Sequence, residues 1–150
     1  MSFRIPPLAQ FLACAFLAWG LAQLMPQLTF GSHLWAYAGY GFILSGVILL
    51  ALAVLAFVRA QTTVNPIAPE QAQALVTTGL YRFTRNPMYL AMALILIGGA
   101  FALGNIAALA ASVIFVGTIT VLQIKPEEHA LQSIFGEAFA AYRKQTRRWL

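Results

Sequence analysis

Residues 78–89 read Thr-Gly-Leu-Tyr-Arg-Phe-Thr-Arg-Asn-Pro-Met-Tyr and lie between two very apolar blocks of the chain. The stretch combines two arginines and two tyrosines with a Thr-Gly turn and an Asn-Pro pair. That pair predicts a helix start, with Asn86 as the N-cap and Pro87 as the first helical residue. A second polar stretch, residues 125–148, follows the next apolar block. The arrangement predicts an apolar helical hairpin whose two polar ends meet.

The chain as a whole is far more apolar than a soluble domain. Of its 150 residues, 61% are hydrophobic and only 9% are charged, whereas about 25% of residues are charged in typical soluble domains. Two runs of 54 and 39 residues, 5–58 and 86–124, contain no Asp, Glu, Lys or Arg. Because one helical crossing takes roughly 20 residues, each run has room for two. We therefore predict an all-α integral membrane protein with four transmembrane helices.

Turn-forming residues divide these two runs into individual spans. The predicted spans are residues 8–25, 34–58, 88–103 and 106–124. Pro26 lies just past the first span, and Arg59 closes the second. The Gly104-Asn105 turn leaves room only for an antiparallel hairpin between the third and fourth spans. Small residues recur in the second, third and fourth spans, which predicts close packing of helix backbones.

The other segments are more polar. Residues 60–85 contain prolines that favour extended or turn geometry, with a short helix predicted at 70–76. Residues 125–150 carry apolar side chains at helical spacing, which predicts an amphipathic tail helix at the membrane surface. Within this tail, Gly136 is expected to end one helical segment and let another begin.

The distribution of charge predicts how the chain is oriented. All formally charged residues fall in three places: Arg4, residues 59–85, and the tail from Lys125 onward. Four spans place all three on one side, which the positive-inside rule makes cytoplasmic, together with both termini. The net charge of +5 is therefore interpreted as an orientation signal, and no nucleic-acid partner is expected.

The predicted hairpin brings charged residues from its two ends together. Arg82 or Arg85 is expected to share a pocket at the membrane boundary with Glu127 or Glu128, where partial desolvation strengthens charge pairing. Adjacent residues on a helix point about 100° apart, so one glutamate can face the pocket while the other faces an arginine or water. The alternative is that both glutamates simply pair with basic residues at the interface.

Motifs of metal or nucleotide sites are absent from the sequence. His33 and His129 fall on opposite predicted sides of the membrane, so no metal site is expected. The chain also lacks a Gly-x-Ser-x-Gly elbow, a phosphate-binding glycine loop and a Rossmann glycine turn. The residues alone thus predict a four-span protein with a charged cytoplasmic pocket.

Several separated motifs occur in an order that is found in one family. They are Leu-Val-Thr-Thr-Gly-Leu-Tyr-Arg at 75–82, Arg-Asn-Pro-Met-Tyr at 85–89, Glu127-Glu128, Leu131, Phe-Gly-Glu at 135–137, and Tyr142. This pattern resembles the isoprenylcysteine carboxyl methyltransferases and the related phospholipid methyltransferases, over roughly residues 60–148.

The resemblance implies a membrane enzyme that uses S-adenosyl-L-methionine to methylate a lipid-like or amphipathic acceptor at the cytoplasmic membrane boundary. It implies one membrane domain in a bacterial inner membrane, with residues 1–59 as an N-terminal two-span hairpin and residues 60–150 as the cofactor-binding core. The implied cofactor-binding residues are Gln73, Ala74, Leu75, Val76, Tyr81, Asn86, Pro87, Tyr89, Glu127 and Glu128. The implied catalytic residues are Arg85 and Glu128.

Two positions depart from the family pattern. Asn86 stands where isoprenylcysteine enzymes commonly have histidine, so the resemblance does not carry the substrate of those enzymes over to this chain. Pro126 stands where a charged residue often precedes the paired glutamates, and a kink is expected there at the exit of the fourth span.

Two other functions remain open. One is a membrane reductase of similar C-terminal design that uses NADPH. The other is a non-enzymatic scaffold whose basic tail binds anionic lipid. That tail contains Arg143, Lys144, Arg147 and Arg148. The sequence does not predict the identity of the methyl acceptor or the oligomeric state.

Overall fold

The computed structural model describes residues 5–30, 33–60 and 74–150, and every regular element within them is helical. The α-helices are α1 (Pro7–Leu24), α2 (His33–Arg59), α3 (Pro87–Ala102), α4 (Ile106–Ile119) and α5 (Lys125–Gln145). Short 3-10 turns occupy Pro26–Leu28 and Gly79–Arg82, and a π-helical turn at Thr120–Ile124 joins α4 to α5. The all-α prediction is confirmed for the part of the chain that the structure describes.

Within residues 5–30, 33–60 and 74–150, three helical stretches are long and apolar enough to cross a membrane. They are Pro7–Leu24, His33–Arg59 and the continuous stretch Ile106–Gln145. Helix α3 is equally apolar but has only 16 residues, which is roughly 24 Å of helix against a hydrocarbon core of about 30 Å. The described residues therefore contain three to four helices that are long and apolar enough to span a membrane, as fits an integral membrane protein.

The outer faces of the first two helices are apolar. On α1, the side chains of Leu12, Phe16 and Trp19 are exposed, and on α2 those of Leu44 and Ile48. Water-soluble proteins rarely expose so large a contiguous apolar surface. These faces fit contact with lipid chains.

Helix α3 lies at the centre of the bundle and packs against α1, α2 and α4. Helix α1 makes its main contacts with α4, whereas α2 makes its main contacts with α3. The buried core lies where α1, α3 and α4 meet, and it includes Cys14, Leu96, Phe115 and Ile119. Trp149, which follows α5, packs against this core.

Glycines bring the backbones of α2 and α3 into close contact. A Cβ atom added at Gly39 would lie 2.6 Å from both the Gly98 carbonyl oxygen and the Ala102 nitrogen. One added at Gly46 would lie 2.8 Å from the Ala91 carbonyl oxygen. The close packing predicted from small residues is confirmed at this interface.

A hydrogen-bonded turn closes the hairpin of α3 and α4 at the end far from the charged residues. Gly104 has a φ of 62° there, a left-handed conformation that glycine adopts without steric cost. The Asn105 side chain caps α4 by accepting from the Ala107 N–H at 2.9 Å, and it donates to the Met25 carbonyl at 2.9 Å. The predicted Gly104-Asn105 turn is confirmed, and it is tied to the end of α1.

Two expectations about local structure need correction. Helix α3 begins at Pro87 as predicted, but the Asn86 side chain makes no capping hydrogen bond; its amide nitrogen donates to the Arg148 carbonyl in the tail. Of the short helix predicted at 70–76, residues 70–73 lie outside the described residues, and residues 74–76 are not helical.

Near Pro126 the structure has a π-helical turn at Thr120–Ile124, with helical backbone angles at both of its ends. Proline lacks an N–H and its ring crowds the carbonyl four residues earlier, which here belongs to that turn. The helix therefore continues through the proline by widening one turn. Gly136, with φ 49° and ψ −120°, breaks α5 into two helical segments, as predicted.

Replacing Gly39 with alanine should destabilise the protein by about 1–3 kcal/mol, because the new methyl group meets backbone atoms that cannot move away. The matched control is Gly41→Ala on the same helix, where an added Cβ meets nothing within 4 Å. Thermal unfolding in detergent, followed by circular dichroism, should show a lower Tm for Gly39→Ala only. Equal Tm values for the two variants would contradict the close contact of α2 and α3.

Candidate active site

Two arginines from different segments hold one glutamate at the polar end of the hairpin. Glu128, in the first turn of α5, accepts a hydrogen bond from Arg85 Nη2 at 2.9 Å through its Oε1. Arg148 donates to both carboxylate oxygens, from Nε to Oε1 at 3.0 Å and from Nη2 to Oε2 at 2.7 Å. The contact between Arg148 and Glu128 is the two-point pairing that guanidinium and carboxylate geometry favour.

The pairing keeps Glu128 ionised although the residue is only 8% exposed. Burial by itself raises the pKa of a carboxyl group. Hydrogen bonds and charge from Arg148 and Arg85 outweigh that effect, and the pKa of Glu128 lies below its ordinary value. The same contact raises the pKa of Arg148. Two positive charges therefore face one negative charge.

The neighbouring glutamate lies in a different environment. Glu127 is half-buried, and its Oε1 accepts a hydrogen bond from the Tyr89 hydroxyl at 2.6 Å. Tyr89 is in the first turn of α3 and is 7% exposed. Glu127 and Glu128 thus face different partners, as the 100° spacing of adjacent helical residues predicts.

Two further tyrosines connect the loop before α3 to the tail helix. The Tyr142 hydroxyl donates to the Tyr81 carbonyl at 2.6 Å, and the Tyr81 ring meets Phe57 edge to face at 5.3 Å. Burial, with smaller contributions from Tyr142 and Glu127, raises the pKa of Tyr81 above its ordinary value. Burial also raises the pKa of Tyr142, to about 12. Both phenols are therefore neutral at physiological pH.

The tail segment, residues 146–150, lies along the loop that precedes α3. The Arg85 N–H donates to the Arg147 carbonyl at 2.9 Å, and Thr84 pairs with Arg147 in a parallel bridge. The Thr84 hydroxyl donates to the Arg148 carbonyl at 3.2 Å, and the Asn86 amide donates to the same oxygen at 2.9 Å. The Arg85 guanidinium also donates to the Thr146 carbonyl.

Ion pairing alone does not explain why the tail segment is ordered. Holding a residue in one backbone conformation costs about 1–2 kcal/mol. A partly exposed ion pair stabilises by at most about 1 kcal/mol, and the Arg148 side chain is 33% exposed. The backbone hydrogen bonds to the loop and the packing of Trp149 against the core must supply the rest.

The structure brings most of the predicted site residues to this region. Arg85, Tyr89, Glu127 and Glu128 make the contacts described above. Pro87, which lies between Arg85 and Tyr89 in the sequence, is fully buried. Arg82, the other arginine considered, has an exposed side chain, and its carbonyl accepts from the Thr146 hydroxyl at 3.4 Å.

The predicted segment 73–76 is placed less completely. Val76 is buried at 8% exposure, and Ala74 and Leu75 are half-buried. Gln73 lies outside the described residues. The role of this segment at the site stays a prediction.

Arg148 and Thr84 belong to the site but were not predicted for it. The sequence places Arg148 in a basic tail, and Thr84 lies inside the central motif without a predicted role. Their sequence separation of 64 residues carries no local signal that the two meet. Among the described residues, no group of three or more His, Cys, Asp and Glu side chains could hold a metal ion.

The fold and the site define a helical integral membrane protein with a charged, tyrosine-lined site at the polar end of an apolar hairpin. Residues 34–138 match the family model described as phospholipid methyltransferase. The chain belongs to the phospholipid methyltransferase family, and this membership indicates a methyltransferase whose acceptor is lipid-like.

The chain is also similar to an uncharacterised protein of Haemophilus influenzae. The two are 41% identical over 63 residues, which is 42% of this chain and all of the relative. No solved structure matches the chain significantly.

Docking of the tail segment should depend on pH through Glu128. Because the pKa of this carboxyl is lowered in the folded protein, its contribution is present above the ordinary value of 4.5. That contribution is lost as the pH falls through the lowered value. Trp149 emission, recorded in a Trp19→Phe/Trp35→Phe background between about pH 6 and pH 3, should shift to the red on acidification.

Two variants serve as controls for that titration. Glu137→Gln removes an exposed carboxyl and should leave the transition in place. Glu128→Gln should abolish it. An unchanged transition in Glu128→Gln would show that another group controls the docking.

Proposed function

We propose that the chain transfers a methyl group from S-adenosyl-L-methionine to a lipid-like or amphipathic acceptor at the cytoplasmic boundary of the membrane. The observation that carries the proposal is the cluster of Arg85 and Arg148 around the buried Glu128, beside the pair Tyr89 and Glu127, in a chain of this family. Family membership favours methyl transfer over an NADPH-dependent reductase or a lipid-binding scaffold, and no contact described above favours either of those.

The chemistry of the site fits the cofactor. S-adenosyl-L-methionine carries an ammonium group, which a carboxylate such as Glu127 can bind, and a sulfonium, which the electron-rich faces of tyrosine rings can stabilise. Tyr81 and Tyr89 are both buried close to that glutamate in the same region. We assign these three residues, with Asn86, Pro87 and the segment 73–76, to the cofactor side.

Arg85 and Arg148 are suited to bind an acidic group of the acceptor. Two guanidiniums against one carboxylate leave a net positive charge, which would attract a phosphate or carboxylate group on an amphipathic molecule. The Nε atom of Arg85 is buried without a hydrogen-bond partner, and the Arg85 side chain as a whole is only 10% exposed. A buried donor without a partner is costly, so a ligand oxygen there would be favoured.

Methyl transfer requires little proton transfer by groups of the protein. When bound, S-adenosyl-L-methionine supplies a methyl group on a sulfonium that departs as a neutral thioether while a lone pair of the acceptor forms the new bond. The chain's own residues position the two molecules and exclude water from between them. Arg85, held in place by Glu128, orients the acceptor, and these two residues are the proposed catalytic pair.

The proposal includes a membrane arrangement. Helices α1, α2, α3 and α4 cross the inner membrane, with both termini cytoplasmic and α5 on the cytoplasmic surface. Residues 1–59 form the N-terminal pair of spans, and residues 60–150 form the core that binds the cofactor. The acceptor enters from the bilayer, and the water-soluble cofactor enters from the cytoplasm.

The two adjacent glutamates should separate cofactor binding from acceptor binding. Glu127→Gln should weaken binding of S-adenosylhomocysteine, measured by calorimetry in detergent, by about ten- to a hundredfold, because a charge-assisted contact is lost. Glu128→Gln should leave that affinity within about threefold. It should instead raise the half-saturating lipid fraction for methyl transfer by about tenfold.

Methyl transfer is to be measured with methyl-labelled S-adenosyl-L-methionine and a bacterial polar lipid extract in mixed micelles. Glu137→Gln, which changes an exposed carboxyl on the same helix, is the matched control. The proposed function fails if wild-type protein shows neither saturable S-adenosylhomocysteine binding nor transfer of label. Equal effects of the two adjacent substitutions on cofactor affinity would refute the division of roles.

A further inference from the structure

The carbonyl oxygen of Arg148 receives two partly buried hydrogen bonds from the loop before α3. The Thr84 hydroxyl donates at 3.2 Å and the Asn86 amide at 2.9 Å. Thr84 is 3% exposed and Asn86 is 9% exposed. In the contacts that the structure describes, neither side chain binds Glu128. Both bind the backbone carbonyl of Arg148, whose guanidinium pairs with Glu128.

The Thr84 hydroxyl also organises its own loop. It accepts the backbone N–H of Asn86 at 3.1 Å, so a single oxygen links Asn86 to Arg148. A valine at this position would keep the volume but lose both hydrogen bonds, whereas a serine would retain them.

The bridge between Thr84 and Arg147 sets the register of the tail segment. The segment bends at Thr146 and at Arg148, on either side of the bridged Arg147. Arg147 is exposed to solvent, whereas Arg148 turns inward to Glu128. The hydrogen bonds from the loop to the Arg147 and Arg148 carbonyls therefore decide which arginine enters the site.

We infer that Thr84 and Asn86 are positioning residues that hold the tail backbone in the one register that places Arg148 on Glu128. The inference rests on the proposed function for its kinetic consequence, since Arg148 and Arg85 together bind the acidic group of the acceptor. Thr84 thus acts on acceptor binding through Arg148, whereas Asn86, which is also assigned to the cofactor side, can act on both ligands.

A double-mutant cycle tests the inference in the full-length protein. Thr84→Val should raise the half-saturating lipid fraction for methyl transfer by about tenfold, the size expected for loss of a buried hydrogen bond. Thr84→Ser should restore the wild-type value. In an Arg148→Ala background, Thr84→Val should change that fraction by less than about twofold, because the residue it positions is already gone.

The cycle separates positioning from a general structural role. If Thr84→Val acts only by loosening the fold, its effect will add to that of Arg148→Ala, and S-adenosylhomocysteine binding will weaken in parallel. Either result overturns the inference. Unchanged cofactor affinity with a non-additive effect on the lipid fraction supports it.

A second measurement does not depend on activity. In the Trp19→Phe/Trp35→Phe background, acrylamide should quench Trp149 more strongly in Thr84→Val than in wild type, because the tail segment is released from the loop. Thr84→Ser should behave as wild type. Equal quenching in all three proteins would refute the inference that Thr84 fixes the position of the tail segment. Absence of methyl transfer in wild type would refute only the proposed function.

Discussion

The ion pairing of Glu128 with Arg85 and Arg148 is the interaction on which the polar end of the molecule depends. A charge with 8% exposure is stable only if it is paired and hydrogen-bonded, and Glu128 finds its two partners in segments far apart in the chain. One arginine precedes α3, and the other follows α5. The pairing, together with the backbone hydrogen bonds of the tail and the packing of Trp149, therefore holds the start of the hairpin, its end and the tail segment at one place.

The opposite end of the hairpin is held by neutral groups. Asn105 caps α4 and binds the Met25 carbonyl, so the turn is joined to the end of α1 without any formal charge. Between the two ends the helices are apolar, as a bilayer requires, because unpaired polar groups are costly there. In the part of the chain that the structure describes, the charged cluster thus lies at the end of the hairpin that we propose as the meeting place of cofactor and acceptor.

Much of the fold follows from local patterns in the sequence. Uncharged runs of sufficient length predicted apolar helices, Pro87 predicted the first residue of α3, and Gly136 predicted the break in α5. The hairpin prediction then correctly placed Arg85 near Glu128. These features depend on properties of the chain that act over a few residues: backbone conformation, the missing proline N–H, and the cost of charge in lipid.

Contacts between distant segments could not be predicted in the same way. The sequence by itself determined that the chain has helices apolar enough for a membrane, where these helices begin, and that Arg82 or Arg85 approaches Glu127 or Glu128. Only the tertiary structure decided that Arg148, rather than Arg82 or Arg147, completes the cluster, and that Asn86 binds the tail instead of capping α3. The physical reason is that side-chain hydrogen bonds across 62 to 64 residues depend on how the tail packs, and no local pattern encodes that register.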